Sequence, residues 1–544
     1  MKKLITIALT LVLTFSMMTA CGSNSDSPAN SDGYPAQQNK ILRMTQSSVP
    51  TIDPAVGSDS SSSIAHANLY DTLVYPDLNG EMMPMVAESW KVSGNGLSWT
   101  FNLRKDVKFH DGSDLTASDV VFSMNRLMTI GEGYAFLFAS HVDSIKALDD
   151  YTVQIDLKDT FAPFLTTLCR LYIVNEDLIM DNLQDGSYGE YGDYGKAYLT
   201  DHDAGSGAYQ VKELKKQDRL VATAFDQYWG EFNESAPKTI ELIGVTQTAT
   251  VRTWMTKGEL EISDSWQTEE AYQALDQLPD VDLCNLYIGS LLYGTFNTSK
   301  APMDDIHVRK AISYMMDYDM IVEKIYPGSK KNASVVPEGL PGYTDDVTRY
   351  EYNMEKAKEE LAQSKYADTI GDYEINVSWL TETPDEEKIA LLIQSQGEEL
   401  GLNIKVEKTP WLTHIDNAAS ADSTPCICLT FVAPDYNEAG AQLFTRFHSS
   451  MNGTWQATEW LNDKTLDKMI EKSLGTLDQE ERFEQYAKIQ SYISEQCYCI
   501  TFFNQADKHA YYNYLGWSAA KAASEGSPVS QVMGYNYLFK DFSM

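Results

Sequence analysis

The sequence predicts an α/β fold built from more than one domain. Three observations carry this. The chain has 544 residues, enough for two or three domains and a large core. Strand-like alternation of period two recurs, with Leu97, Trp99, Phe101 and Leu103 set against Ser98, Thr100, Asn102 and Arg104. Capped amphipathic helical stretches alternate with strands through the second half, the pattern of α/β layering.

The N-terminus stands apart from the rest. Lys2 and Lys3 precede the apolar run Leu4–Met17, which is too short to span a bilayer comfortably and has the layout of a signal peptide over residues 1–20. It ends in Thr19-Ala20-Cys21-Gly22, small residues around a cysteine, and residues 21–40 that follow are a Ser/Asn/Gly/Pro tether. Ile41–Met44 begins the first strand. Ile52-Asp53-Pro54-Ala55 and the serine-rich 58–63 make a loop, followed by a helix over Ile64–Leu69 and the string Tyr70-Asp71-Thr72-Leu73-Val74. Asp77-Leu78-Asn79-Gly80 lacks the remaining ligands of a calcium loop and reads as a tight turn.

The stretch Pro84–Arg126 is the most informative. Trp90 and Val92 lead into Asn95-Gly96, a hairpin turn, and the alternating strand follows. His110-Asp111-Gly112 turns the chain again. Thr116 and Asp119 form a capping box before Val120, Val121, Met124, Leu127 and Met128 at helical spacing. Tyr151–Leu157 is another alternating strand. Between Gly186 and Tyr198, four tyrosines sit among glycines, either a surface loop or a stacking platform. Gly205-Ser206-Gly207 suits a tight chain crossing and lacks the third glycine of a dinucleotide fingerprint. Further on come helices over Ile306–Tyr314, Asp317–Ile325, Met354–Leu361 and Lys388–Leu400, then the strand Ile404–Glu407. The apolar strand Cys426–Val432 runs into Pro434-Asp435-Tyr436-Asn437-Glu438.

Composition excludes several functions. With 43% hydrophobic and 11% aromatic residues the chain is globular, and a net charge of −36 leaves no basic footprint for nucleic acid. Of the seven cysteines, Cys426/Cys428 and Cys497/Cys499 are spaced two apart in apolar β-like runs, so each pair faces one side of a strand. Buried small residues, a disulfide and a metal site are the alternatives, the first favoured because zinc ligands usually flank turns. Histidines are scattered singly, and no H-E-x-x-H, G-x-S-x-G or phosphate-binding loop occurs, so no catalytic residue, cofactor or metal ligand is assigned.

The residue strings resemble family 5 extracellular solute-binding proteins of ABC importers. The run from Pro84 through "W-T-F-N-L-R-K-D-V-K-F-H-D-G" to "T-A-S-D-V-V-F-S" carries most of the resemblance. Ile52–Ala55, Leu69–Val74, Gly205–Val211, Tyr228-Trp229-Gly230 and Gly258–Ile262 extend it. It implies a two-lobed, periplasmic-binding-protein-like (Venus flytrap) α/β fold with an extra inserted domain. The first lobe would comprise 41–88, 203–296 and 503–544, the insert 89–202, and the second lobe 297–502.

The resemblance further implies a monomeric, extracytoplasmic receptor that holds short peptides between closing lobes and passes them to permease subunits. It would be anchored to the membrane only through lipid on Cys21. Asp435 would pair with a ligand α-ammonium, beside Tyr436 and Asn437. Trp411 would line the pocket, and Tyr134 and Phe138 would supply aromatic walls. Leu429 and Val432 stand where relatives carry an arginine and an aromatic residue, so the resemblance assigns nothing to the ligand's C-terminus. The alternatives are the same fold binding an oligosaccharide or nickel chelate, and a secreted hydrolase.

Overall fold

The computed structural model describes residues 40–544. The predicted signal run, Cys21 and the tether as far as residue 39 lie outside the described residues. Among the described residues, no helix is long and apolar enough to cross a membrane.

Three larger sheets organise the chain. The first has the order Ile41–Thr45, Thr239–Ile243, Arg219–Ala224, Tyr209–Lys215; its first pair is parallel and the rest antiparallel. The second is the antiparallel meander Ala87–Val92, Ser98–Leu103, Thr152–Leu157, Val142–Asp149. It contains the alternating strand read from sequence: Trp99, Phe101 and Leu103 point into the core, and Trp99 packs on Phe164. The third is six-stranded, in the order Lys330–Lys331, Cys499–Asn504, Leu291–Phe296, Ile427–Val432, Glu374–Leu380, Asn403–Thr409. Leu291–Phe296 is buried at every position, as a central strand covered on both faces must be. Helices Ile306–Met315, Met354–Gln363 and Glu386–Glu399 share a core with one face, while Gly440–Phe447, Lys464–Leu474 and Gln479–Gln496 pack into the main core with Tyr293 and Val432.

A ribbon, Val281–Leu286 against Asp507–Tyr512, joins the first sheet through single bridges from Ile262 to Met44 and Tyr511. Its two strands run on into Leu291–Phe296 and Cys499–Asn504 of the six-stranded sheet. Only 287–290 and 505–506 separate the two pairs, and these links are bonded to each other by the Gln505 N–H to Ser290 O, 2.8 Å.

The sequence strings hold the framework together. Asp53 makes a two-pronged ion pair with Arg126 (2.8 and 2.7 Å), and Arg126 Nε also donates to Tyr194 O. This draws the tyrosine-glycine loop onto the long helix Ala117–Ile130, where Tyr194 is buried and stacks on Tyr191. The predicted capping residues meet: the Thr116 N–H and hydroxyl both donate to Asp119. The buried Asp71 carboxylate accepts from Ser206, Trp229 and Tyr228, so two separate motifs close on one residue. His110 pairs with Asp203 and also meets Gly207 O. Burial opposes its charge, yet the Asp203 carboxylate outweighs this and raises its pKa. Asp77 Oδ1 accepts from the Asn79 and Glu81 N–H groups, the tight turn expected at Gly80.

Two expectations change. The helix predicted over Asp317–Ile325 is a short turn, Tyr318–Met320, followed by a π segment, Ile321–Ile325. The wider turn seats Tyr326 against Phe503, 4.7 Å between rings. Cys497 does not share a strand with Cys499, because the helix Gln479–Gln496 reaches it and Cys497 caps that helix at φ 51°. Its thiol meets Ser313 instead, and Cys426 lies just before its strand. All six described cysteines are free and buried.

Gly205 is the tightest crossing, since a Cβ there would fall 1.9 Å from Leu69 O. Gly205→Ala is expected to lower stability by about 1–3 kcal/mol through overpacking. Chemical denaturation checks this; an unchanged midpoint would contradict the close approach.

Candidate functional site

The site begins where the buried strand Ile427–Val432 ends. Ala433-Pro434 carries the chain beside Gly289 in one of the two linking segments, and Asp435 follows with 2% of its surface exposed. Its carboxylate accepts one long hydrogen bond, from Gln456 Nε2 at 3.4 Å. Burial pushes Asp435 up to about 6, with Arg170 and Gln456 pulling in the opposite direction. A carboxylate this poorly supplied with donors is costly to ionise and is well suited to an incoming cation.

Arg170 faces it. It sits in the turn Leu168–Arg170 and is fully buried. Nε donates to Asp435 O (2.8 Å) and Nη1 to Met533 O (2.9 Å), while the guanidinium lies 4.7 Å from the Tyr134 ring centre. Among the described residues, its Nη2 has no hydrogen-bond partner. A guanidinium remains charged in a protein, so this is a buried cation with one donor edge free. Arg170 thus bonds the Asp435 main-chain oxygen and its charge favours the Asp435 carboxylate form. Gln46 Nε2, one residue past the strand Ile41–Thr45, and Gln442 Oε1, seven residues past Asp435, are further buried polar atoms without a hydrogen-bond partner among the described residues.

The remaining sequence-predicted residues take distinct positions. The Tyr134 hydroxyl bonds Ser63 Oγ (2.7 Å) and Ser58 O (3.1 Å), which leaves its ring face to Arg170. Phe138 is buried in the main core, and Phe136 on the same turn lines a small cavity together with Tyr436. The Asn437 amide donates to Gly80 O at 3.2 Å, and Glu438 binds Arg482 and the Tyr486 hydroxyl. Trp411 opens the helix Trp411–Ala418, half-buried, with its ring 5.0 Å from Trp455, the neighbour of Gln456. The structure thus brings Asp435, Tyr134 and Tyr436 together. Trp411 reaches Asp435 only through the Trp455-Gln456 dipeptide.

Sequence reasoning missed Arg170 and Gln456. A signal for Arg170 was present: a lone charge inside Leu168-Cys169-Arg170-Leu171-Tyr172-Ile173-Val174 has to be buried and partnered. Gln456 carried none, since glutamines are common on surfaces.

A second cavity, of about 40 Å³, lies beside the other linking segment. Trp266, Tyr272 and Lys508 line it from one side, Tyr326, Thr383 and Asp385 from the other. The Lys508 ammonium meets Glu269 at 2.6 Å there. The volume suits a few waters. Among the described residues, no group of three or more His, Cys, Asp or Glu side chains is placed to hold a metal ion.

Removing the Arg170 charge is expected to raise the Asp435 pKa above about 6, because Arg170 favours the carboxylate form. Carboxyl ¹³C NMR of Asp-labelled Arg170→Met protein reads this; an unchanged or lower value would contradict the coupling.

Residues 81–454 match the profile of bacterial extracellular solute-binding proteins, family 5 middle. The chain is 28% identical over 463 residues to a probable D,D-dipeptide-binding periplasmic protein, DdpA, of Escherichia coli, covering 84% of this chain and 86% of that protein. Its fold matches the Helicobacter pylori periplasmic binding protein DppA in complex with the peptide STSA (TM-score 0.79, 23% identity, 92% and 97% covered). It also matches NikZ of Campylobacter jejuni in complex with Ni(L-His) (TM-score 0.78, 18% identity, 93% and 100% covered). The fold is therefore that of the two-lobed periplasmic binding proteins. The chain belongs to family 5 of the bacterial extracellular solute-binding proteins of ABC transporters.

Proposed function

We propose that this protein is the lipid-anchored receptor of an ABC importer, that it binds short peptides, and that it hands them to membrane permease subunits without chemical change. The observation that carries the reading is the pair of buried, under-partnered charges, Asp435 and Arg170. A peptide's α-ammonium supplies the donors that Asp435 lacks, and a peptide carboxylate or carbonyl accepts from Arg170 Nη2. Ligands without a cation leave Asp435 unpaired in a dry site and are rejected.

Closure follows from the topology. The first lobe contains the first and second sheets and the ribbon, and the opposing lobe is built on the six-stranded sheet. The hinge is 287–290 and 505–506, slightly earlier in the chain than 296 and slightly later than 502. Several contacts link the two lobes: Arg170 to Asp435 O, Asn437 to Gly80 O, and the Ala162 N–H to Leu474 O at 2.8 Å. Such contacts exist only when the lobes meet, so a ligand that bridges Asp435 and Arg170 shifts the population toward the closed state. The closed state is the form offered to the permease.

A second reading is favoured by the influence of the Arg170 charge on Asp435: one compact amino-acid-derived zwitterion, free or as a metal chelate. The chelator would then bring its own metal.

Asp435→Asn is expected to weaken binding of free-amine peptides by about 2–5 kcal/mol, a loss of roughly 30-fold or more, measured by calorimetry. In the unaltered protein, affinity should be flat between about pH 6 and 7, where the ligand amine is still protonated, and fall about tenfold per pH unit below about 6. The carboxylate form binds, and as pH falls through about 6 the ligand must displace a proton from Asp435. Binding independent of pH between 4 and 7 would sink the role of Asp435. For the anchor, Cys21→Ser should release the protein from membranes into the medium, and persistent membrane retention would count against lipid on Cys21.

A further inference from the structure

A second buried ion pair lies behind Asp435, and binding has not yet used it. Arg446, on the helix Gly440–Phe447, and Glu459, in the turns that follow, are both fully buried and paired with each other. The Arg446 guanidinium lies flat over the Tyr293 ring, 3.5 Å from its centre. Its Nε donates to the main-chain oxygen of Gln456 at 3.1 Å, and its Nη2 to the Glu459 carboxylate. Gln456 is the residue whose amide reaches the Asp435 carboxylate.

The segment between Gln456 and Glu459 has no helix or strand of its own to hold it. Outside bonds fix it at both ends. The Thr458 hydroxyl meets that of Thr295 at 2.7 Å, and Glu459 O accepts from the Thr298 N–H at 2.9 Å, which stitches one end to the strand Leu291–Phe296 and its continuation. At the other end Arg446 supplies the bond to Gln456. The fork of a guanidinium reaches both points at once, as an ammonium cannot.

Stability alone does not account for this pair. Among the described residues, Arg446 Nη1 and Glu459 Oε2 have no hydrogen-bond partner, so two desolvated charges recover only part of their cost. The thiols and phenol around the pair, Cys428, Cys499 and Tyr293, are kept neutral by burial. Burial does the same for Tyr134, Cys169 and Tyr436 around Asp435, which leaves Arg170 as the charged group facing that carboxylate.

We propose that Arg446, braced by Glu459, is a positioning residue for the ammonium anchor: it sets the turn that aims the Gln456 amide at Asp435 and so holds the carboxylate ready for a cation. The inference rests on Asp435 being that anchor. Arg170 acts on Asp435 by its charge, while Arg446 acts through one hydrogen bond made by another residue. A carboxylate that accepts such a bond is favoured in its ionised form. Loss of the brace therefore costs affinity where Asp435 has to shed a proton to bind, and costs little where it is already ionised.

The test replaces the pair by apolar groups of similar size, Arg446→Met with Glu459→Met, which leaves no lone buried charge. Carboxyl ¹³C NMR of Asp-labelled protein should show the Asp435 pKa moving from about 6 to about 7. Calorimetry with Ala-Ala should show a loss of roughly tenfold at pH 5 and of no more than about twofold at pH 7. Gln456→Leu alone should raise the Asp435 pKa as far, and adding it to the paired variant should raise it no further. Arg446→Lys keeps the charge opposite Glu459 without the second reach, and should shift Asp435 as the paired variant does. An unchanged Asp435 pKa in these variants, or an affinity loss equal at the two pH values, overturns the positioning role. If the unaltered protein binds no Ala-Ala, the peptide reading falls, and the Asp435 pKa still decides the role of Arg446.

Discussion

A single buried guanidinium ties the binding region together. Arg170 reaches the main chain at Asp435 and at Met533, bonds that span 265 and 363 residues of sequence, and lies on Tyr134 from a third segment. A charge taken this far from water is tolerated only when its donors are used. Two of its edges are used by the protein. Among the described residues the third has no partner, and on the proposed function it is this incompleteness that a ligand completes. Asp435 has the same character with the opposite sign. The two together favour a zwitterion over either ion alone, because each end of such a ligand removes one desolvation penalty.

The four residues of Asp435-Tyr436-Asn437-Glu438 show how densely one short motif can be used. The first faces Arg170, the second walls a small cavity, the third bridges to Gly80, and the fourth secures Arg482 and Tyr486. Gly80 accommodates this because a Cβ there would collide with the Asn437 amide. Recognition, closure and framework therefore share one turn. A change at any of the four is transmitted to the others through the same backbone.

Much of the framework was legible in sequence because its determinants are local. The period-two strand at Trp99–Leu103, the capping pair Thr116 and Asp119, the turn at Asp77–Gly80 and the crossing at Gly205 all involve residues near one another or a steric need of one residue. Asp435 was legible as a candidate through its motif, yet its partners were not. Arg170, Gln456 and Met533 meet it only in the folded chain, and no periodicity encodes such a meeting. The π segment at Ile321–Ile325 and the helix-capping Cys497 escaped for a related reason. Each is a local geometry imposed by distant packing, of Tyr326 on Phe503 and of the long helix ending at Gln496.

On the proposed function, the cleft takes a free-amine zwitterion between Asp435 and Arg170. The most direct measurement is mass spectrometry of the small molecules released when the purified mature protein is denatured. The expected result is a set of short peptides, or another compact amine-bearing acid, each with an unblocked amino group. Release of a neutral sugar or an amine-free acid as the sole occupant would contradict it.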